Sequence, residues 1–276
     1  MTEKRQIIGL MLVRNEDRFI GQALANILDF CDRVIVLDNA STDRTPEILE
    51  KFRIVSKGKV EVSQIRDVGE SHSFVVPFVG KPVWLLAVDG DEIYDPAGLM
   101  RLRSRLIEGE GEFDSYWRLY GPVLNVARLD RKGMAHGYTS PPGHPMTKLY
   151  NMQAIERWDS GSERLHGGEM ILKPGWDHRE GIYAFWEHVD WEESPFRCLH
   201  VVFMRRTSRS LLSRLRLSAT DVVRLSLAKG NVWTYTLTWI RYIKEALCCD
   251  EGKDKAYRRG PLVTRDASPF FAKVVP

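Results

Sequence analysis

Four features are scarce or missing in this chain of 276 residues, and each removes a class of protein. Cysteine is one. Cys31, Cys198, Cys248 and Cys249 form no CxxC pair, so neither a zinc ribbon nor a disulfide framework is indicated, and reduced thiols are expected. Charge of one sign is another: 40 Lys and Arg against 37 Asp and Glu leave a formal +3, too balanced to argue for nucleic-acid binding. Long apolar runs are missing. No stretch reaches the roughly 18 to 20 residues that a membrane span needs, and "MTEKRQIIGLMLVRNED" is too short in its apolar part for a signal sequence. A cytoplasmic location is the resulting expectation. Last, no GxGxxG follows the first apolar run and no GxxxxGK[ST] occurs anywhere, so a glycine-rich phosphate cradle is excluded.

What is there reads as alternating strands and helices. Residues 7–13 (IIGLMLV), 33–38 (RVIVLD), 59–65 (KVEVSQI) and 83–88 (VWLLAV) have the composition of strands. Between Glu16 and Phe30 the apolar residues Phe19, Ile20, Ala23, Leu24, Ile27 and Leu28 recur at helical spacing. "STDRTPEILEKF" predicts a helix with Thr45 as N-cap and Pro46 at its first position, and Asp95-Pro96 opens another that runs to about Ile107. This order predicts an α/β protein with a mostly parallel central sheet flanked by helices.

In such sheets the ligand crevice lies beyond the carboxyl ends of the strands. Three strands end there in polar clusters: "RNED", "DNASTD" and "DGDE". From 113 to 205 the pattern loosens into short strands and loops, so a first domain of 1–205 is expected to divide into 1–110 and 111–205. Residues 206–276 predict a C-terminal helical extension with a polar tail. From Arg205 on, Arg206, Arg209, Arg214 and Arg216 stand beside leucines, followed by Trp233, Tyr235, Trp239 and Tyr242. Peripheral contact with an anionic membrane would use such helices, but packing on the preceding domain is the expectation.

Carboxylates gathered at a strand end repel one another unless a cation or donors offset them. Mg²⁺ or Mn²⁺ prefers hard oxygen ligands, usually one or two carboxylates completed by phosphate and water. Asp89 and Asp91 have the spacing for this, since on an extended chain they point the same way, and Gly90 allows close approach of a ligand.

The motifs in order, Asn15-Glu16, Asp38 with Ser41-Thr42-Asp43 and Thr45, "QIRD" at 64–67 and "WLLAVDGDE" at 84–92, resemble those of family 2 glycosyltransferases with the GT-A fold. Asn39 and Asp67 depart from that pattern, standing where a second acid or Ser and an Asn are common. The resemblance implies a nucleotide-sugar donor, UDP-sugar first, contacted by Val13, Arg14, Asn15, Glu16, Asp38, Asn39, Arg66, Asp89 and Gly90. Within that set Asp38 and Glu16 would meet the base and ribose, Arg66 the diphosphate, and Asp89 the ribose or sugar. Asp91, with Asp89 and His200, would hold Mn²⁺ or Mg²⁺; His166 is a second histidine in the right part of the chain. Glu92 is either a ligand or a structural acid.

Members of the family invert the anomeric centre by direct displacement, which needs a general base for the acceptor hydroxyl. Asp190 is the first candidate and Glu163 the second. The acceptor itself stays open among a glycan, a lipid-linked intermediate, a natural product, a protein and a modified nucleic acid, and the oligomeric state is equally open. Two other readings are kept. A sugar nucleotidyltransferase on the same fold would need a glycine-rich signature that "LMLVRNED" lacks; the other is a non-catalytic carbohydrate- or partner-binding module on a GT-A scaffold.

Overall fold

The computed structural model describes residues 5–108, 111–142, 147–159, 168–209, 236 and 257–273. Its first strands, β1 (Gln6–Val13), β2 (Arg33–Asn39), β3 (Val60–Ile65) and β4 (Val83–Asp89), lie side by side and parallel in the order β3-β2-β1-β4. Their apolar runs are needed because both faces of this sheet are covered: Ile7 and Met11 of β1 enter one core cluster, Ile8 and Leu10 another. Parallel neighbours require crossovers, supplied here by α1 (Ile20–Ile27) and α2 (Thr45–Val55). Helix α1 is shorter than the 16–30 periodicity predicts, because the residues between Glu16 and Ile20 form a turn that is tied into neighbouring loops.

Beyond β4 the chain turns at Gly90 and Asp91 and enters a different sheet as β5 (Glu92–Tyr94). Helix α3 (Pro96–Ile107) follows, with Asp95 as N-cap accepting from the Ala97 N–H and proline at its first position, as predicted. Three short strands complete the large sheet: β6 (Arg118–Tyr120), β9 (Lys148–Asn151) and β12 (Ile182–Ala184). They give the order β12-β6-β9-β4-β1-β2-β3, with β9 antiparallel to both β4 and β6. The expected α/β fold with a mainly parallel sheet is the one observed.

The second sheet collects β5, β7 (Val123–Leu129), β8 (Met134–Ser140), β13 (Cys198–His200) and β14 (Leu262–Asp266), in the order β14-β8-β7-β13-β5. A separate two-stranded piece pairs β10 (Ile155–Trp158) with β11 (Met170–Leu172). The tail is therefore more than a polar end. Strand β14 pairs antiparallel with β8, and Phe270 beyond it is fully buried in the cluster that holds Trp191, Ile93 and Leu199. Asn26 of α1 donates to the carbonyls of both Tyr94 and Phe270 at 2.7 Å, which ties the first crossover to the tail. The two helices expected between 208 and 249 lie, apart from the first two residues and residue 236, outside the described residues. Among the described residues no helix is long and apolar enough to cross a membrane.

Candidate active site

The loops after β1 and β2 build each other. Val13 stands opposite Asp38 in the sheet and Leu12 opposite Asp89, so the three polar clusters begin at one edge. Asn15 has φ +55°, a left-handed conformation that asparagine tolerates better than most residues. That turn aims its Oδ1 at the next loop, where it accepts from the Thr42 N–H at 2.7 Å and the Asp43 N–H at 3.3 Å. In return Ser41 Oγ accepts from the Asn15 N–H and Thr45 Oγ1 from the Glu16 N–H, both at 2.9 Å.

Thr45 is thus the first residue of α2 rather than its N-cap, because its hydroxyl is committed to the neighbouring loop; Asp43 Oδ1 takes the Thr45 N–H instead. Asp38 is fully buried, and its oxygens accept from the Ser41 N–H at 3.0 Å and from Gln64 Nε2 at 2.6 Å. It pins the turn and the edge strand. Asn39 follows it at the end of β2, also buried, and Arg14 is half-buried in the loop after β1.

The acidic triplet is not an extended chain. Asp89 is the last residue of β4, and Gly90-Asp91 is the turn by which the chain changes sheets. A Cβ on Gly90 would lie 1.9 Å from Glu16 Oε2 and 3.0 Å from a Val13 methyl, so this glycine makes room for the carboxylate of Glu16. The change of sheet brings the second half of the chain to Asp91, whose carbonyl accepts from the Val201 N–H at 3.0 Å. In register, Glu92 of β5 faces His200 of β13, and His200 faces Asn125 of β7.

Asn125 Nδ2 donates to the Tyr257 carbonyl at 3.2 Å, which leaves its Oδ1 for His200 Nδ1 at 2.9 Å. Nδ1 therefore carries the hydrogen, and in the neutral ring Nε2 presents its lone pair. That nitrogen is 3.6 Å from Asp91 Oδ2, with both side chains about 4 % exposed and the Tyr257 ring packed edge-on against the imidazole. An oriented imidazole beside a carboxylate suits a divalent cation. Among the described residues no three such side chains converge, so the remaining positions would belong to phosphate and water, as is usual for Mg²⁺ and Mn²⁺.

Glu92 is structural. It is fully buried, and its Oε2 accepts from the Asp89 N–H at 3.2 Å and the Tyr94 hydroxyl at 3.4 Å. Burial pushes its carboxyl well above the usual carboxylate range.

Two basic residues that are not among the predicted site residues complete it. Lys148 opens β9 beside Ala87; burial works against its charge, but Asp89 and then Glu92 raise its pKa. Arg206 lies between the two clusters, its Nη1 donating to Glu16 Oε1 at 2.9 Å and Asp91 Oδ2 at 3.0 Å. Both acceptors are within reach of one nitrogen, so they are at most about 6 Å apart. At an effective dielectric near 20, two full charges at that separation repel by roughly 3 kcal/mol. The guanidinium between them offsets this repulsion, and Asp91 above all holds it in its charged form.

Other predicted residues are not brought to this cluster. Arg66 is exposed at the end of β3, three strand spacings or roughly 14 Å from β4. It stands at the far end of the edge from Asp91 because β1 and β2 intervene. Asp190 is exposed in a turn where its backbone carbonyl accepts from the N–H groups of Glu193 and Ser194; none of the described contacts joins it to Asp89 or Asp91. Glu163 and His166 lie outside the described residues. Arg206 carries a signal, a basic pair six positions beyond His200, but the arginine-rich run that follows masks it.

Residues 10–118 match the profile of glycosyl transferase family 2. No curated protein matches the chain. Among solved structures, that of S. aureus TarS 1-349 in complex with UDP is 21 % identical over 53 % of this chain and 47 % of that one, with a TM-score of 0.37. Glucosyl-3-phosphoglycerate synthase from Mycobacterium tuberculosis, solved with Mn²⁺, UDP and glucosyl-3-phosphoglycerate, is 22 % identical over 43 % of this chain and 44 % of that one, with a TM-score of 0.31. The similarity thus spans less than half the length of either protein.

Proposed function

From residues 10–118 as a glycosyl transferase family 2 segment on a GT-A sheet, we propose that this chain transfers a sugar from a UDP-sugar to an acceptor hydroxyl. The observation that carries the reading is the meeting of Asp91 with the oriented Nε2 of His200 at the end of β4, beside Glu16. Asp91 and His200, with Asp89 adjacent, would hold Mn²⁺ or Mg²⁺. Bound there, the cation supplies positive charge where the departing UDP gathers negative charge.

The chain's own residues do the rest. Asp89, half-buried at the strand end, would accept from ribose or sugar hydroxyls. Glu16, Asn15, Asn39 and Arg14 line the shared loops, with Val13 and Gly90 forming their floor, so the nucleoside would lie along the β1–β2 edge toward Arg66. Asp38 acts there through the turn that it holds. Direct displacement would invert the anomeric centre, the acceptor proton passing to a carboxylate, for which Asp190 and then Glu163 are proposed.

The test is UDP release from a panel of UDP-sugars, with and without EDTA and restored Mn²⁺. Release from at least one sugar that stops with EDTA and returns with Mn²⁺ is expected. Release indifferent to EDTA would remove the metal from the mechanism, and release from no nucleotide sugar would remove the activity.

A further inference from the structure

Arg206 is held in place by more than its two carboxylates. The segment 205–208 is strapped across the loops of the donor side: the Arg206 carbonyl accepts from the Arg18 N–H at 3.1 Å, Thr207 Oγ1 donates to Asp43 Oδ2 at 2.7 Å, and the Ser208 N–H donates to Asp17 Oδ1 at 2.7 Å. The Ser208 hydroxyl reaches the second oxygen of Asp17. Each anchor belongs to a loop that also builds the site, since Asp43 caps the start of α2 and Asp17 follows Glu16. The side chain that this strap delivers lands on the Oδ2 of Asp91, the same oxygen that faces His200 Nε2. A divalent cation bound at that oxygen would compete with the guanidinium for it. Each also meets the same need, positive charge between Glu16 and Asp91.

We propose that Arg206 is a placeholder for the divalent cation, and that the strap 205–208 is a latch that keeps the guanidinium on Asp91 until the cation exchanges with it. The inference rests on the reading of Asp91 and His200 as metal ligands. The Arg206 side chain as a whole is 37 % exposed while that of Asp91 is 4 % exposed, so the arginine's stem reaches solvent and the carboxylate does not. In the latched state one guanidinium partly offsets the two carboxylates without metal. Exchange frees Arg206 and with it loosens the strap bonds of Thr207 and Ser208, which belong to the latched state. The apparent affinity for the cation is then lower than the intrinsic one by the fraction of molecules that are unlatched.

The experiment titrates Mn²⁺ alone, without nucleotide, into the full chain, reading free Mn²⁺ by electron paramagnetic resonance. Wild type, Arg206→Gln and the double variant Thr207→Val/Ser208→Ala are compared, each with its melting temperature with and without Mn²⁺. Both variants are expected to bind Mn²⁺ more tightly than wild type, by about tenfold for a latch that leaves one molecule in ten open. Mn²⁺ is also expected to raise the melting temperature of Arg206→Gln more than that of wild type. Unchanged or weaker binding in both variants overturns the proposal. Tighter binding in Arg206→Gln alone overturns it too, because loss of one positive charge then suffices without a latch.

If Arg206→Gln fails to fold without metal, the double variant, which keeps the arginine, decides. The metal reading falls separately, and the latch with it, if no form takes up Mn²⁺ at millimolar concentration. If UDP release is EDTA-sensitive but both variants bind Mn²⁺ as wild type does, the latch alone falls.

Discussion

The two sheets approach Asp89, Gly90 and Asp91 from opposite sides and by opposite means. On the large-sheet side the contacts are made between loops that follow neighbouring strands: Asn15 with Ser41, Glu16 with Thr45, Asp38 with Gln64, at separations of 26 to 29 residues. On the second-sheet side, His200 is set by Asn125 75 residues away, and Arg206 reaches Asp91 across 115 and Glu16 across 190. The nucleotide side is a local structure written in consecutive motifs. The cation side exists only once β5, β13 and β7 have paired and the tail has closed over them, so it depends on folding of the whole chain.

That dependence gives the largest expected effect. Phe270 is fully buried beside Trp191, and Phe→Ala at such a site costs about 3–5 kcal/mol. Urea unfolding of Phe270→Ala should show a loss of that size together with weakened Mn²⁺ binding, because Tyr257 of the same tail holds Asn125. A loss below about 1 kcal/mol, the range of ordinary surface changes, would mean that the tail is an appendage.

The comparison sharpens with a pair of asparagines. Asn125→Ala removes the acceptor that orients His200 and should lower Mn²⁺ affinity by about 10- to 100-fold. Asn15→Gly keeps the left-handed turn but loses the bonds to Thr42 and Asp43. It should destabilise by about 1 kcal/mol per bond and weaken UDP, while Mn²⁺ affinity stays near wild type. Calorimetric titration of both ligands against both variants checks this. If the two variants affected the two ligands alike, the division between the sheets would be wrong.

A smaller effect concerns Glu92, where the sheets join. Burial raises its folded-state pKa, so the native state holds a proton that the unfolded chain releases above its ordinary value near 4.3. Its contribution to stability is therefore complete below that value and declines as pH rises toward the folded pKa. Glu92→Gln removes the ionisation while keeping an oxygen for the Asp89 N–H, and Lys148 retains Asp89 as its counter-charge. Melting curves from pH 5 to 9 should fall less steeply for the variant, and its advantage should grow with pH. Parallel curves would show that Glu92 ionises without consequence.

The same division explains what is legible in the sequence. Strands β1 to β4 show as apolar runs because both faces of the large sheet are covered, and the polar residues that end them mark the crevice edge in the amino-acid string itself. His200 can be singled out only by the family resemblance, since nothing local marks it; its value as a ligand comes from Asn125, in a strand with no distinguishing motif. Arg206 is lost in a basic run whose other members share its composition but not its position. Asp190 stands out by its distance in sequence from the acidic triplet and by the tryptophans around it, yet Trp191 is buried on Phe270 and the aspartate is left in an exposed turn. That Gly90 also makes room for Glu16, 74 positions earlier in the chain, is visible only in the folded structure.

The central claim is that Asp91 couples a divalent cation to the nucleotide, and calorimetric titration of UDP into wild type and Asp91→Asn, each with and without saturating Mn²⁺, tests it most directly. The account predicts that Mn²⁺ tightens UDP binding to wild type by at least about tenfold, or 1.4 kcal/mol, and leaves Asp91→Asn unaffected at unchanged melting temperature. Equal tightening by Mn²⁺ in both proteins, or UDP binding to wild type that is indifferent to the metal, would contradict it.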